Sequence, residues 1–264
     1  MAEGDRTMLQ SRREKIMEMI QAERMIKVSD LIKQFGVSIE TIRRDLEFLE
    51  KEGLLTRVYG GAVLNQKKAA EPLYEHREVK NYEEKAAIAR RAVELIEDGD
   101  VLGIDIGTTA REFARALLGK RKVIVLTNSM PIAEILSGDD DIRVIMLGGE
   151  VRKGEFSVSG FVAENIMQHF NLDKYILGIG GITVENGITD YHIEETNLRR
   201  VMLSRAQKVI GLADYSKFGV IAMNTVCPLS RMDVLVTDGR ADRSIIARMH
   251  SMKTEVIQVE TEER

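Results

Sequence analysis

A chain of 264 residues with 44% hydrophobic content is long enough for about two domains and apolar enough for more than one buried core, which excludes a disordered or fibrous protein. Its 38 Lys and Arg against 42 Asp and Glu give a net charge of −4, so a uniformly basic nucleic-acid coat is excluded and any contact with nucleic acid has to be local. The single cysteine, Cys227, and four scattered histidines point to no disulfide, metal or cofactor, and no segment approaches the roughly 20 apolar residues of a membrane span. A soluble protein of a reducing cytoplasm is expected.

Charge divides the chain. Residues 1–68 hold 13 Lys and Arg against 11 Asp and Glu, leaving 25 against 31 for the rest: a mildly basic head before an acidic body. Between them, Asn65 to Pro72 has no apolar period and ends in one of only three prolines, which marks a linker. The expected domains are residues 1–62, a linker over 63–81, and residues 82–264.

In the head, Ile16, Met17, Met19 and Ile20 share a broad face of a helix over Arg12–Ala22, and Leu31, Ile32 and Phe35 repeat at helical spacing over Val28–Phe35. Gly36 stops this second helix. Ser38 is an N-cap for a third, without the Glu or Gln of a capping box, since Thr41 stands there. Ile39, Ile42, Leu46 and Leu49 form its buried seam, and Gly53 ends it. The opposite face carries Glu40, Thr41, Arg44, Lys51 and, at its flanks, Phe48 and Arg43. A helix fits the DNA major groove, where Arg can grip a guanine edge and Thr can touch a thymine methyl. Such a face alone is also that of any solvated helix. Leu54–Ala62 then reads as a hairpin, or wing, with Arg57 and Tyr59 on alternate sites of one face.

The run Val37-Ser-Ile-Glu-Thr-Ile-Arg-Arg-Asp-Leu46, followed by Leu49-Glu-Lys-Glu-Gly53 and Arg57-Val-Tyr-Gly-Gly-Ala62, resembles the N-terminal signature of the DeoR family of bacterial transcriptional regulators. The resemblance implies a winged helix-turn-helix whose third helix enters the major groove. It places Ser38, Thr41, Arg43 and Arg44 on the recognition helix and Arg57 on the wing. The helical wheel favours Thr41 and Arg44 for base edges and Arg43 for phosphate. Asp45, near the buried edge, is expected to pair with Arg12 or Arg13.

From Tyr82 onward, helices alternate with short apolar runs. Helices are expected over 83–97, 109–118, 132–136 and 195–205, and strands over 101–104, 123–126, 143–146, 174–177, 209–212, 234–236 and 256–259. Continuous apolar strands between helices indicate an α/β domain with a mainly parallel sheet. Ligands of such sheets lie beyond the carboxyl ends of the strands. Those ends read Asp105-Ile-Gly-Thr-Thr109, Thr127-Asn-Ser129, Gly148-Gly-Glu150, Gly178-Ile-Gly-Gly-Ile182 and Asp214-Tyr-Ser-Lys-Phe218. Gly107, Thr108 and Thr109 open a helix, where free amides and hydroxyls can hold a phosphate or carboxylate. Lys217 supplies a balancing cation, and Asp105, Asp190, Glu195 and Asp214 are candidates to accept hydroxyl protons of a sugar.

Singly, these are ordinary helix caps and turns; five polar strand ends in one sheet argue for a site. Gly178-x-Gly180-Gly181-x-Thr183 lacks both the last glycine and the following helix of a dinucleotide fingerprint, which excludes NAD. His192, Tyr191 and Cys227 form no nucleophile pattern.

Asp105 to Thr109, Thr127 to Ser129, Gly148-Gly149, Glu195 and Ala213-Asp-Tyr-Ser-Lys-Phe-Gly219 also resemble the C-terminal sensor domain of the DeoR family, itself similar in fold to ribose-5-phosphate isomerase. This implies a phosphorylated sugar or related metabolite as effector, with its phosphate at Gly107, Thr108 and Thr109; Gly148, Gly149, Glu150 and Gly180 belong to the same candidate site. The leading expectation is a homo-oligomeric repressor, dimer or tetramer, that binds double-stranded operator DNA of a carbohydrate operon and is released by this effector. Two recognition helices related by symmetry read half-sites that one cannot specify alone. The alternative is a phosphosugar isomerase with a DNA-binding appendage, because Asp105, Glu150, Glu195, Asp214 and Lys217 are residue types able to move protons. A non-binding scaffold is disfavoured by the recognition helix and wing.

Overall fold

The head's helical seam closes over a small sheet, and the body's apolar runs build a larger one. The computed structural model describes residues 12–13, 15–17, 19–20, 25–51, 55–64 and 71–260, and the chain separates into compact units of residues 1–70 and 71–264. Gly53, Leu54 and residues 65–70, invoked above as a helix end, the wing's start and a linker, lie outside the described residues, as does the end of the first helix.

In the head, α1 is helical at residues 12–13, 15–17 and 19–20, followed by β1 (Met25–Lys27), α2 (Val28–Phe35), α3 (Ile39–Lys51), β2 (Leu55–Val58) and β3 (Gly61–Leu64). Ile16, Ile20, Ile26, Leu31, Ile42, Leu46, Leu49, Leu55 and Ala62 form one core. Gly36 ends α2 at φ 62°, donating its amide to the Ile32 carbonyl at 2.9 Å, as only a residue free of Cβ strain does readily. The sheet runs β1-β3-β2, antiparallel throughout. Strand β1 was not foreseen, because three residues are too few to show alternation. Ile39 departs from the expected seam: at the first turn of α3 it is 38% exposed, since the packing of α2 and α3 reaches full depth only from Ile42 onward.

In the body, seven parallel strands run in the order β15-β14-β12-β9-β4-β5-β6. They are β4 (Val101–Ile104), β5 (Val123–Thr127), β6 (Ile142–Met146), β9 (Leu172–Gly178), β12 (Ala206–Leu212), β14 (Val234–Asp238) and β15 (Glu255–Val259). Alternate strand residues face two cores. Leu102, Ile104, Val125, Ile176 and Val236 pack under α5 (Tyr82–Val93), α6 (Thr108–Leu117) and α7 (Met130–Leu136). Leu126, Tyr175, Leu177, Val209 and Leu235 pack under α8 (Phe161–Met167), α9 (Ile193–Arg205) and α10 (Arg243–Ser251). Both faces are dry, which is why the strands read as unbroken apolar runs.

Two small antiparallel additions, the hairpin β7 (Glu150–Arg152) and β8 (Ser157–Ser159) and the sheet of β10 (Gly181–Thr183), β11 (Gly187–Asp190) and β13 (Asn224–Cys227), extend beyond the strand ends. Cys227 is buried in β13, and burial pushes its thiol up to about 12. Helix α4 (Tyr74–Val79) occupies part of the interval expected as linker. It has no buried residue and hence no apolar period; charge holds it instead, as described below. Among the described residues no helix is long and apolar enough to cross a membrane.

Candidate functional site

In the head, the Ser38 hydroxyl caps α3 by accepting the Thr41 amide at 3.3 Å, and it sits 3.0 Å from the Thr41 hydroxyl. Thr41 therefore has part of its hydrogen-bonding capacity engaged at the cap. Arg43 and Arg44 are exposed, and neither forms an ion pair with the described residues. Asp45 behaves oppositely. It is 1% exposed and accepts Arg12 Nε at 2.6 Å and Arg13 Nε at 2.9 Å, so it ties α1 to α3. Arg13 also lies 3.7 Å over the Phe48 ring.

Arg57 on β2 donates its amide (2.8 Å) and Nε (2.7 Å) to the two carboxylate oxygens of Glu50. These bonds hold Glu50 below the usual glutamate range and fix the wing against α3, while the Arg57 side chain stays 42% exposed. Tyr59 is fully exposed, but β2 ends at Val58, so Tyr59 occupies the hairpin turn with Gly60 and not a strand site beside Arg57. The side chain of Lys51 lies outside the described residues.

In the body, a solvent-open cleft lies at the strand ends, lined by Gly107, Thr108, Thr109, Gly180, Asp190 and Lys217 of the expected set. The first turn of α6 points its free amides into it; the first helical bond there is from Arg111 to the Gly107 carbonyl, at 2.9 Å. The hydroxyls of Thr108 and Thr109 bond to no described residue. Lys217 enters from a 3₁₀ turn (Tyr215–Lys217) after β12, without an ion pair to any described residue. Desolvation holds its ammonium below the usual lysine range, against the pull of Asp214. Amides, hydroxyls and a cation without an ion pair to any described residue thus converge on one opening, a combination that suits a phosphate or carboxylate.

Under the floor lies a buried charge triad, of which Asp190 and Arg199 line the cleft and Asp105 lies behind them. Arg199 of α9 donates Nε to Asp105 at 2.6 Å and Nη1 to Asp190. Asp105 also accepts the amides of Ile106 (2.8 Å) and Gly178 (3.1 Å). Burial, outweighing the pull of Arg199, pushes its carboxyl up to about 6. Gly178 permits the approach: a Cβ there would stand 2.6 Å from the Ile106 carbonyl oxygen.

Several expected ligand residues serve the framework instead. Both oxygens of Glu195 are engaged, by Ser157 and by Arg152 at 2.7 Å each. Asp214 caps its own 3₁₀ turn through Ser216 and accepts Asn81 Nδ2 at 2.8 Å. Thr127 donates to the Ile104 carbonyl at 2.8 Å, Asn128 donates to the Val158 carbonyl at 3.1 Å, and Ser129 caps α7. Gly148, Gly149 and Glu150 lead into hairpin β7–β8, where a Cβ on Gly149 would collide with the Ser159 carbonyl. None of these nine residues, Asp105 included, lines the cleft. Polarity at a strand end marks the right edge of the sheet without separating ligand contacts from the bonds that hold the loops.

Glu71, Arg77, Tyr191 and Arg199 line the cleft and were not foreseen. Arg77 pairs with Glu155 and, at 3.3 Å, with Glu71; Arg152 links Glu71 to Glu195. Lys85 of α5 donates to the carbonyls of Arg77 and, at 2.6 Å, Lys80, and desolvation brings its ammonium down to about 8. These ties fasten α4 beside the cleft. The available signal was a run of charged residues without apolar period, Glu71, Glu75, Arg77, Glu78 and Lys80, which sequence spacing alone does not distinguish from a solvated linker.

Comparison with known proteins bears on both units. The DeoR-like helix-turn-helix domain matches residues 12–68, and the DeoR C terminal sensor domain matches residues 80–239. The HTH-type transcriptional regulator GolR of Listeria innocua is 32% identical, covering 89% of this chain and 92% of its own. The glycerol-3-phosphate regulon repressor of Escherichia coli is 33% identical over 88% and 91% of the two chains. The transcriptional repressor AccR of Agrobacterium fabrum is 34% identical over 90% and 92%. Among solved structures, ribose 5-phosphate isomerase A of Methanocaldococcus jannaschii matches 53% of this chain and 55% of its own, at 19% identity and a TM-score of 0.40.

Proposed function

Because this chain belongs to the DeoR family of transcriptional regulators, we propose that it is a repressor of a carbohydrate operon, binding operator DNA through residues 1–62 and a phosphorylated sugar or related metabolite through residues 82–264. The observation that carries the effector half is the convergence of the α6 amides, the unbonded hydroxyls of Thr108 and Thr109, and unpaired Lys217 in one cleft. A phosphate satisfies all of them at once. The relatives named for a glycerol-3-phosphate regulon and for repression support the same assignment.

The DNA half rests on exposed, unpaired Arg43 and Arg44 on α3, beside a wing pinned by Arg57 and Glu50. Arg44 reaches base edges and Arg43 and Arg57 reach phosphates; Tyr59, at the wing tip, touches the backbone. One such helix reads too few base pairs for selectivity, so the working form is a homo-oligomer presenting two heads. The segment 71–81 supplies a route from effector to head, since Glu71 and Arg77 line the cleft and open the body unit directly after residue 70, where the head unit ends. An anion that draws Arg77 away from Glu71 and Glu155 changes how that segment is held.

Turnover is disfavoured by the engagement of the carboxylates. Asp105, Glu195 and Asp214 are each tied to arginine, serine, asparagine or backbone partners, leaving no acid and base pair poised over the cleft. The test combines fluorescence anisotropy on DNA flanking the chain's own gene with a panel of sugar phosphates and their unphosphorylated parents. Tight DNA binding released by one phosphate ester, but not by its parent sugar, supports the assignment. No DNA binding, or interconversion of sugar phosphates on incubation, overturns it.

A further inference from the structure

We propose that hairpin β7–β8 and the first turn of α8 form the two-fold contact through which two copies of this chain associate. The inference rests on the regulator reading above, which calls for two heads, and adds the surface that joins them.

Three observations carry it. The first is a concentration of exposed apolar side chains: Met130, Met146, Val151, Phe156, Phe161 and Val162, of which Phe161 is 77% and Phe156 54% exposed. Backbone contacts bring the segments that carry them side by side. The Met130 amide donates to the Phe156 carbonyl at 2.9 Å, and Val162 would lie 3.3 Å from a Cβ on Gly148, two residues beyond Met146. Together they expose roughly 500 Å² of apolar surface, at the upper end of what a monomer tolerates and near what one partner of a standard dimer buries once its polar rim is added.

The second is that the hairpin is bolted down, so its apolar display is a fixed shape. Val158 donates its amide to the Asn128 carbonyl at 2.8 Å, Asn128 returns a side-chain bond to the Val158 carbonyl, and Ser129 bridges Ser157. Glu155 is anchored by Arg77. At the hairpin tip, Phe156 adopts φ 53°, a left-handed conformation costly for an aromatic residue. The ladder holds that strain while the ring faces solvent.

The third is the rim, where exposed Lys153 and Glu150 and half-buried Glu164 form no ion pair with the described residues. A patch bearing both signs, each unpaired within the protomer, complements itself across a two-fold axis, where each residue meets its partner's counterpart surface. The neighbouring β6 is the terminal strand of the large sheet, which leaves this flank without a further layer.

The experiment is sedimentation of the full chain at micromolar concentration as wild type, Phe161→Glu, Val151→Lys and a control, Ile221→Lys, at an apolar residue exposed elsewhere. Thermal unfolding verifies that each is folded. The wild type and the control are expected to share an even-numbered assembly, and each patch variant to fall to half that mass, losing operator affinity by a factor on the order of 100 as the linkage of two heads is lost. A monomeric wild type, or folded patch variants that keep the wild-type mass, overturns the proposal. DNA binding by the wild type is scored separately: an even-numbered wild type that halves on substitution yet binds no DNA supports the interface while the regulator reading fails.

Discussion

The exposed face of α3 in the head and the cleft of the body handle positive charge in opposite ways, although Arg12, Arg13 and Arg57 of the head are paired with carboxylates. In the head, Arg43 and Arg44 stand in solvent with no ion-pair partner among the described residues, on a helix held by a core of nine described buried residues. In the body, Arg77, Arg152 and Arg199 are each bound by carboxylates, and Lys217 stands in the cleft without an ion pair to any described residue. On the function proposed above, the contrast follows from the two ligands. A polyanion arrives with its own counterions, and exposed cations bind it by releasing them, so they need little scaffolding. A single small anion has to be taken out of water. Its site therefore needs desolvated charge, and desolvated charge needs a framework of paired groups to hold it.

If the units are as separate energetically as they are in packing, a cavity in one spares the other. Leu46→Ala, in the small head core, should cost about 2–5 kcal/mol, unfolding the head and abolishing DNA binding while effector affinity persists; parallel anisotropy and calorimetry check this. Loss of both functions would show that the units fold as one.

The exposed cations should then differ from each other. Arg44→Ala is expected to cost about 1–3 kcal/mol and relax preference at one base position, whereas Arg43→Ala should weaken all sequences alike and lower the salt slope by about one. A salt titration on operator and scrambled DNA distinguishes them.

In the cleft, Lys217→Met should weaken a phosphorylated effector by about 1.5–3 kcal/mol and Thr108→Val by about 1 kcal/mol, each leaving DNA affinity near the wild type. Calorimetry giving equal affinity for a sugar and its phosphate would remove the anion site from the comparison.

The smallest effect concerns the floor. Folded Asp105 keeps its proton up to about 6, whereas an ordinary aspartate releases it near 3.8. A raised carboxyl contributes stability that is complete below the lower value and is lost as pH rises through the higher one. Urea midpoints should therefore show the wild type losing stability relative to Asp105→Asn as pH rises between about 4 and about 6. A rise over that window would mean that Arg199 outweighs burial.

Elements that bury a periodic face were legible in the sequence. Strand β4 reads Val101-Leu-Gly-Ile104 and has those bounds in the fold, and the seam of α3 is buried from Ile42 to Leu49. Elements held by polar bonds were not. Helix α4 has no buried residue, and β7–β8 depends on backbone bonds to Asn128, Ser129 and Met130, which are distant in sequence. The same division runs through the cleft. Gly107, Thr108 and Thr109 were legible because a strand, a glycine and a helix start are consecutive. Arg199 and Arg77 were not, because each reaches the cleft from an element that is not consecutive with the Gly107–Thr109 turn. Asp105, Glu195 and Asp214 show that a carboxylate at a strand end is as readily a brace for a loop as a ligand contact.

Cys227 has a practical consequence. With its thiol buried and pushed up to about 12, it presents little reactive thiolate at neutral pH. The native chain is thus expected to react slowly with maleimides and nitroxide reagents. A cysteine introduced at fully exposed Tyr59 would be its sole labelling point, so spin labels on otherwise unedited protein could measure the separation of two wing tips, with and without effector.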